Sequence, residues 1–299
     1  MSLDRRTFMQ FLGAGSLLAL GPACAAEQLA RRGKSPRVPR VVIVGAGFGG
    51  ATAAKYLRMW SDNTIEVLLV ERQKNFVSCP MSNTVLGGSR SMADITHAYD
   101  DLTKKHGVLR VEAEVTAIDA DKRSVRTARG ELPYDRLILA PGIDFLFEQI
   151  EGLTPEIADK EIPHAWKAGP QTALLRKQLE AMPDGGVYLL SIPKAPYRCP
   201  PGPYERACQV AFYLKNNKPK SKVLVLDANP DITSKKGLFL KAWSELYPGM
   251  IEWQDPKIHG GIKNVDPKTN TVRTDLASYK AAFVNVIPAQ MAGKIARDA

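Results

Sequence analysis

Residues 40–71 constrain the fold more than any other part of the chain. "RVVIV" is an apolar run of strand length, "GAGFGG" is a glycine turn, "ATAAKYLRMW" has helical spacing with small residues on its first turn, and "TIEVLLV" is a second apolar strand closed by Glu71. Gly45, Gly47 and Gly50 fall in G-x-G-x-x-G spacing between the first strand and the helix. In that setting Gly45 permits a tight turn, Gly47 lets backbone approach a pyrophosphate, and Gly50 lets the helix close on the strand. Amides at the helix N-terminus attract phosphate charge, and an acid ending the second strand can accept hydrogen bonds from an adenosine ribose. The glycines alone would be a weak signal, but the order strand, glycines, helix, strand, acid predicts a dinucleotide-binding βαβ unit.

The order then recurs. "GVLRVEAEVTAIDADKRSVRTARGELPYDRLILAPG" reads as a strand, a hairpin turning near Asp121-Lys122, and a buried strand ending at Ala140-Pro141-Gly142. A second unit follows: helix "GPQTALLRKQLEAM", strand "GGVYLLSI", helix "YERACQVAFYLKNN" and strand "KVLVLDAN", with Asp227 where a second ribose-binding acid belongs. Its turn is "PKAPYRCPPGPYERAC", in which Pro200, Pro201 and Pro203 withhold the amide donors and φ freedom that a phosphate cradle needs. A nicotinamide dinucleotide is expected to bind poorly there. Cys199, just before a helix and beside Arg198 and Arg206 in sequence, is expected to favour thiolate. The fold class is therefore α/β, with two Rossmann-like units, the second inserted in the first. The expected boundaries are 39–168 for the first unit, 169–284 for the second, and 285–299 for a return to the first.

At the N-terminus, Arg5 and Arg6 precede "FLGAGSLLALG", an apolar stretch too short to span a bilayer, and Ala23-Cys24-Ala25 follows as a small-x-small cleavage site. This resembles a twin-arginine export signal over 1–25, which implies a periplasmic protein with no transmembrane anchor once processed. Residues 26–38 read as a flexible leader. The processed chain would keep Cys79, Cys199 and Cys208, an odd number that leaves at least one thiol outside any structural disulfide. The net charge of +10 comes from bases scattered among acids, with no nucleic-acid motif. It suits a basic surface or docking of an acidic partner, and no nucleic acid.

Six segments, "GAGFGGATAAKYL", "SCPMSN", "YDRLILAPG", "PHAWKAG", "YRCPPGPYERA" and "VIPAQMAGKIA", resemble the flavoprotein subunits of flavocytochrome c sulfide dehydrogenase across residues 40–297. That family lies within the glutathione-reductase-like, two-dinucleotide fold that also holds sulfide:quinone reductases. The resemblance implies sulfide as substrate, FAD as cofactor, and a c-type cytochrome partner in a heterodimer, with haem c on the partner and no metal on this chain. It implies flavin contacts from Gly45, Gly47, Phe48, Gly49, Gly50, Glu71, Arg72, Val115, Ala140 and Gly142, and a thioether from Cys79 to the flavin 8α-methyl. Taken alone, Cys79 would read as a buried, inert thiol. The resemblance also gives Cys199 as one sulfur of a redox disulfide and Glu205 as an acid able to move a proton, although Glu205 equally fits a solvated first-turn acid. Cys208 matches no required cysteine and reads as core. The partner cysteine and a C-terminal interface domain are expected after "AGKIA", three residues before the end of the sequence, so that domain is expected to be missing. The competing readings are an FAD-binding electron-transfer scaffold without catalysis and an NAD(P)H-dependent flavin disulfide oxidoreductase.

Overall fold

The computed structural model describes residues 38–299, so the expected export signal and nearly all of the expected leader lie outside the described residues. The first sheet is parallel. It runs β3 (Leu109–Val111), β2 (Glu66–Val70), β1 (Arg40–Val44), β7 (Arg136–Leu139), with Val42 opposite Leu68 on one side and Leu137 on the other. Continuous β-branched and leucine runs suit such strands because both sheet faces are covered. Val41, Ile43, Val67 and Leu69 pack on one face with Ala54 of α1 (Phe48–Trp60), while Val42, Val44, Leu68 and Val70 pack on the other. That second face is covered by an antiparallel meander of β4 (Val115–Asp119), β5 (Ser124–Thr127) and β6 (Gly130–Pro133), which contributes Val125 and Leu132.

The second sheet repeats this plan. Its order is β11 (Ile251–Gln254), β10 (Lys222–Asp227), β9 (Val187–Ile192), β15 (Phe283–Val286), again all parallel. A second antiparallel meander, β12 (Ile262–Asp266), β13 (Thr271–Thr274) and β14 (Ser278–Lys280), supplies Val265 and Val272 to one face. On the other face lie α3 (Pro170–Ala181), α4 (Gly202–Asn217) and α5 (Lys236–Leu246). Both units thus place their first strand centrally, with a meander between the third and fourth strands.

Two connections fix the units to each other. The chain leaves the first unit through β8 (Ile143–Phe145) and comes back antiparallel to it as β16 (Gln290–Ala292), with Ile143 opposite Ala292. The second is α2 (Ser82–Gly87), which packs against α4: Asn83 Nδ2 donates to the Gly202 carbonyl at 3.1 Å, and a Cβ on Gly87 would lie 2.1 Å from Gln209 Oε1. Since Cys79 precedes α2 and Cys199 precedes α4, this packing brings the two cysteine loops together.

Candidate functional site

The glycine turn has the geometry its spacing implies. Gly45 sits at φ +91°, and a Cβ there would lie 2.3 Å from the Ala140 carbonyl oxygen. A Cβ on Gly50 would fall 1.8 Å from the Gly45 oxygen, which is the close helix-to-strand approach. Above Gly47 nothing lies within 4 Å of a Cβ position, and Gly47 caps α1 with no side-chain hydrogen bond and no acid in the first turn. The α1 N-terminus therefore offers amides to open space. Glu71 is oriented by two backbone donors, Ala46 N and Gln73 N, both at 2.8 Å. Each carboxylate oxygen keeps further acceptor capacity for a ribose.

Gly45, Glu71, Arg72 and Val115 line one cleft of about 340 Å³ together with Pro141 and Gly293. Arg72 is exposed and pairs with Glu114 at 3.1 Å. Ala140 ends β7 by donating its amide to the Val44 carbonyl, and Gly142, at φ +80°, accepts from Gly293 N at 2.9 Å. Phe48 is 58% exposed and packs edge-on against Phe76, and Gly49 is exposed beside it. The open space over Gly47 and the uncapped helix fit a dinucleotide, and Gln290 Nε2 adds a buried donor without a partner near the cysteine loops.

At the junction of the units, Cys79 and Cys199 are free, half-buried and close enough for their charges to interact. The Cys79 thiol donates to the Trp166 carbonyl at 3.2 Å and accepts from Arg198 Nη2 at 3.2 Å, while Arg198 Nη2 also donates to the Trp166 carbonyl. Trp166 Nε1 in turn donates to the Arg198 carbonyl at 3.2 Å. Cys199 adopts φ +61°, a left-handed conformation that costs a non-glycine residue about 1 kcal/mol and points to a functional constraint. Its thiol runs against the expectation of a favoured thiolate: burial, then the Glu205 carboxylate and Cys79, push its pKa up, and the Gly202 amide and Arg198 only partly offset this. The nearby arginine expected to help, Arg206, turns away. It is 1% exposed and donates to Asn83 Oδ1, Asn285 Oδ1 and the carbonyls of His164 and Ala165, with its guanidinium 4.9 Å over the Trp166 ring. Glu205 itself is exposed on the first turn of α4.

Asp227 also departs from its expected role. It is fully buried: Oδ2 accepts from Tyr204 Oη at 2.7 Å and Trp253 Nε1 at 3.0 Å, and Oδ1 from Asn229 N and Nδ2. Tyr204, Trp253 and Asn229 thus occupy the hydrogen-bonding positions a ribose would need. Trp166, Asn83 and Gln290 were not singled out from the sequence, and Arg206 was singled out only as a neighbour of Cys199, because a buried arginine carries no local pattern. The prolines around it gave the only hint that this turn differs.

Residues 172–288 match the family described as the sulfide dehydrogenase [flavocytochrome c] flavoprotein chain, central region, and residues 39–171 match the pyridine nucleotide-disulphide oxidoreductases. The sulfide dehydrogenase [flavocytochrome c] flavoprotein chain of Chlorobaculum thiosulfatiphilum is 61% identical over 46 residues, which are 15% of this chain and 94% of that short relative. The chain belongs to the flavocytochrome c sulfide dehydrogenase flavoprotein family. The mitochondrial sulfide:quinone oxidoreductase of Dictyostelium discoideum is 25% identical over 193 residues, 64% of this chain and 42% of that protein. In fold, the sulfide:quinone oxidoreductase of Aquifex aeolicus superposes with a TM-score of 0.69 at 21% identity, covering 87% of this chain and 61% of that one. The chain thus spans under two thirds of these two larger relatives. Among the described residues no helix is long and apolar enough to cross a membrane.

Proposed function

We propose that this chain is the FAD-binding part of a sulfide dehydrogenase, oxidising sulfide at Cys199 and delivering electrons through the flavin to a c-type cytochrome partner outside the cytoplasm. The observation that carries the reading is the contrast between the two turns. The first keeps open space and free amides for a pyrophosphate, whereas the second has its acid buried under Tyr204 and Trp253 and a cysteine where phosphate-binding glycine would stand. The same contrast opposes the NAD(P)H-dependent reading.

When bound, FAD would supply a two-electron acceptor that can pass electrons on singly. The chain's own residues divide the remaining work. Amides of α1 and the space above Gly47 would receive the pyrophosphate, Glu71 would receive the ribose, and Cys79 would hold the ring through a thioether. Sulfide attack on a disulfide containing Cys199 forms a new S–S bond to Cys199 and breaks the old one, releasing the partner sulfur as a thiolate that carries the electron pair. The net change is HS⁻ → S⁰ + H⁺ + 2e⁻, and we assign the proton to Glu205, the exposed acid on the first turn of α4. The family resemblance implies a second cysteine as the partner sulfur, and the test uses the native protein carrying its flavin. Anaerobic sulfide should bleach its flavin absorbance and NADH should not; bleaching by NADH alone would contradict the proposal.

A further inference from the structure

We infer that Arg198 is the positioning residue for covalent attachment of the flavin at Cys79, an inference that rests on the tethering role proposed for Cys79. Arg198 lies beside Cys199 in sequence, yet its side chain reaches across the junction of the units to a different sulfur. Its Nη2 donates to Cys79 Sγ at 3.2 Å. Three further contacts fix the arm that makes this reach: Arg198 N donates to Gln290 Oε1 at 2.9 Å, the Arg198 carbonyl accepts from Trp166 Nε1 at 3.2 Å, and Nη2 also donates to the Trp166 carbonyl. Among the described residues, Arg198 is the one whose guanidinium hydrogen-bonds the Cys79 sulfur.

The chemistry of tethering needs such a group. Thioether formation makes a bond between Cys79 Sγ and the carbon of a flavin ring methyl. One proton leaves the thiol, one leaves the methyl, and two electrons remain on the flavin, to be removed by a ferric-haem or ferricyanide class of acceptor. The nucleophile is the thiolate, and a guanidinium donates a charge-assisted hydrogen bond to sulfur that strengthens as the negative charge appears. The Trp166 carbonyl accepts the thiol hydrogen and also contacts Arg198 Nη2, so both groups meet the sulfur on one side and orient it before its proton departs. The contact also links the two cysteine loops, so the loop that presents Cys199 takes part in tethering the flavin at Cys79.

The test compares wild type, Arg198→Met and Arg198→Lys, each expressed as the full-length protein. Covalent flavin is read from the fluorescence of the acid-denatured protein band and the mass of the Cys79 peptide. Total flavin is read from native absorbance. Loss of one charge-assisted hydrogen bond should slow attachment about tenfold. Arg198→Met should therefore hold flavin that is released by acid, with attachment recovering as pH is raised and the thiolate forms unaided. A merely structural role would show no rescue by pH. Should Arg198→Met fail to fold, Arg198→Lys decides the matter: its ammonium, on a shorter arm, cannot reach both the Cys79 sulfur and the Trp166 carbonyl as Nη2 does, so its covalent fraction should fall at neutral pH and recover at higher pH. Wild-type covalent fractions in a folded Arg198→Met protein, or in Arg198→Lys where that is the deciding variant, would overturn the inference. Release of all flavin by wild type would instead overturn the tethering role of Cys79 itself.

Discussion

The three glycines of the first turn should give three different phenotypes when each is changed to alanine. Gly45→Ala places a side chain at φ +91°, which costs about 1–2 kcal/mol. It also forces the new methyl to within 2.3 Å of the Ala140 oxygen, a backbone atom directly after β7 that cannot swing aside, adding about 1–3 kcal/mol of overpacking. Gly50→Ala meets the Gly45 oxygen at 1.8 Å, backbone against backbone, so it belongs at the upper end of that range. Gly47→Ala differs in kind. Its φ of −68° and ψ of −166° suit any residue and nothing stands within 4 Å, so the folded protein should be unchanged to within about 0.5 kcal/mol. The methyl would nevertheless project into the space a pyrophosphate needs, and flavin affinity should fall at least about tenfold, or ~1.4 kcal/mol. The assay uses a Cys79→Ser background so that flavin binding is reversible, with urea midpoints for the apoprotein and fluorescence quenching for affinity. Undiminished affinity in Gly47→Ala, or wild-type stability in Gly45→Ala, would refute the assignment of these roles.

Three further outcomes follow from the second unit and the junction. Tyr204→Phe removes a donor to the buried Asp227 carboxylate and an acceptor of the Thr233 amide, so stability should drop by about 1.5–3 kcal/mol while calorimetry still shows no micromolar binding of NADH. His164 is buried, and that burial, followed by the charges of Arg206, Lys167 and Arg198, lowers its pKa from 6.5 to about 3. The unfolded imidazole therefore takes up a proton that the folded one refuses; stability should be full above pH 6.5 and decline toward pH 3, at up to about 1.4 kcal/mol per pH unit, and His164→Gln should flatten that decline in urea titrations. For Cys199, whose thiol pKa is raised above its ordinary 9.0, alkylation of the reduced protein should be slow at neutral pH and rise only in alkali, with Glu205→Gln moving the midpoint down; a wild-type midpoint below 9.0 would contradict this.

The parts of this structure that were legible in the sequence are those governed by local rules. Apolar runs such as Val41–Val44 and the glycine spacing report strand burial and turn geometry directly, and Glu71 stands at the end of its strand as the pattern requires. Asp227 obeys the same local rule but not its function, because the residues that bury it, Tyr204 and Trp253, lie 23 positions earlier and 26 positions later in the chain. Arg206 was misplaced for the same reason. Its nearness to Cys199 in sequence suggested an electrostatic partner, whereas α4 turns it into a pocket formed by Asn83 and Asn285, more than 75 residues away in opposite directions. The reach of Arg198 to Cys79 spans 119 residues and depends on α2 packing against α4, which no periodicity encodes. Proline at 200, 201 and 203 was the local sign that the second turn had left its phosphate role.

The central claim is that Cys199 carries sulfide oxidation on a flavin held by the first unit. Its most direct test is stopped-flow flavin absorbance with anaerobic sulfide, comparing the full-length gene product with Cys199→Ser at equal flavin content. The account predicts rapid bleaching in the wild type and none on that timescale in Cys199→Ser; equal rates in the two proteins would contradict it.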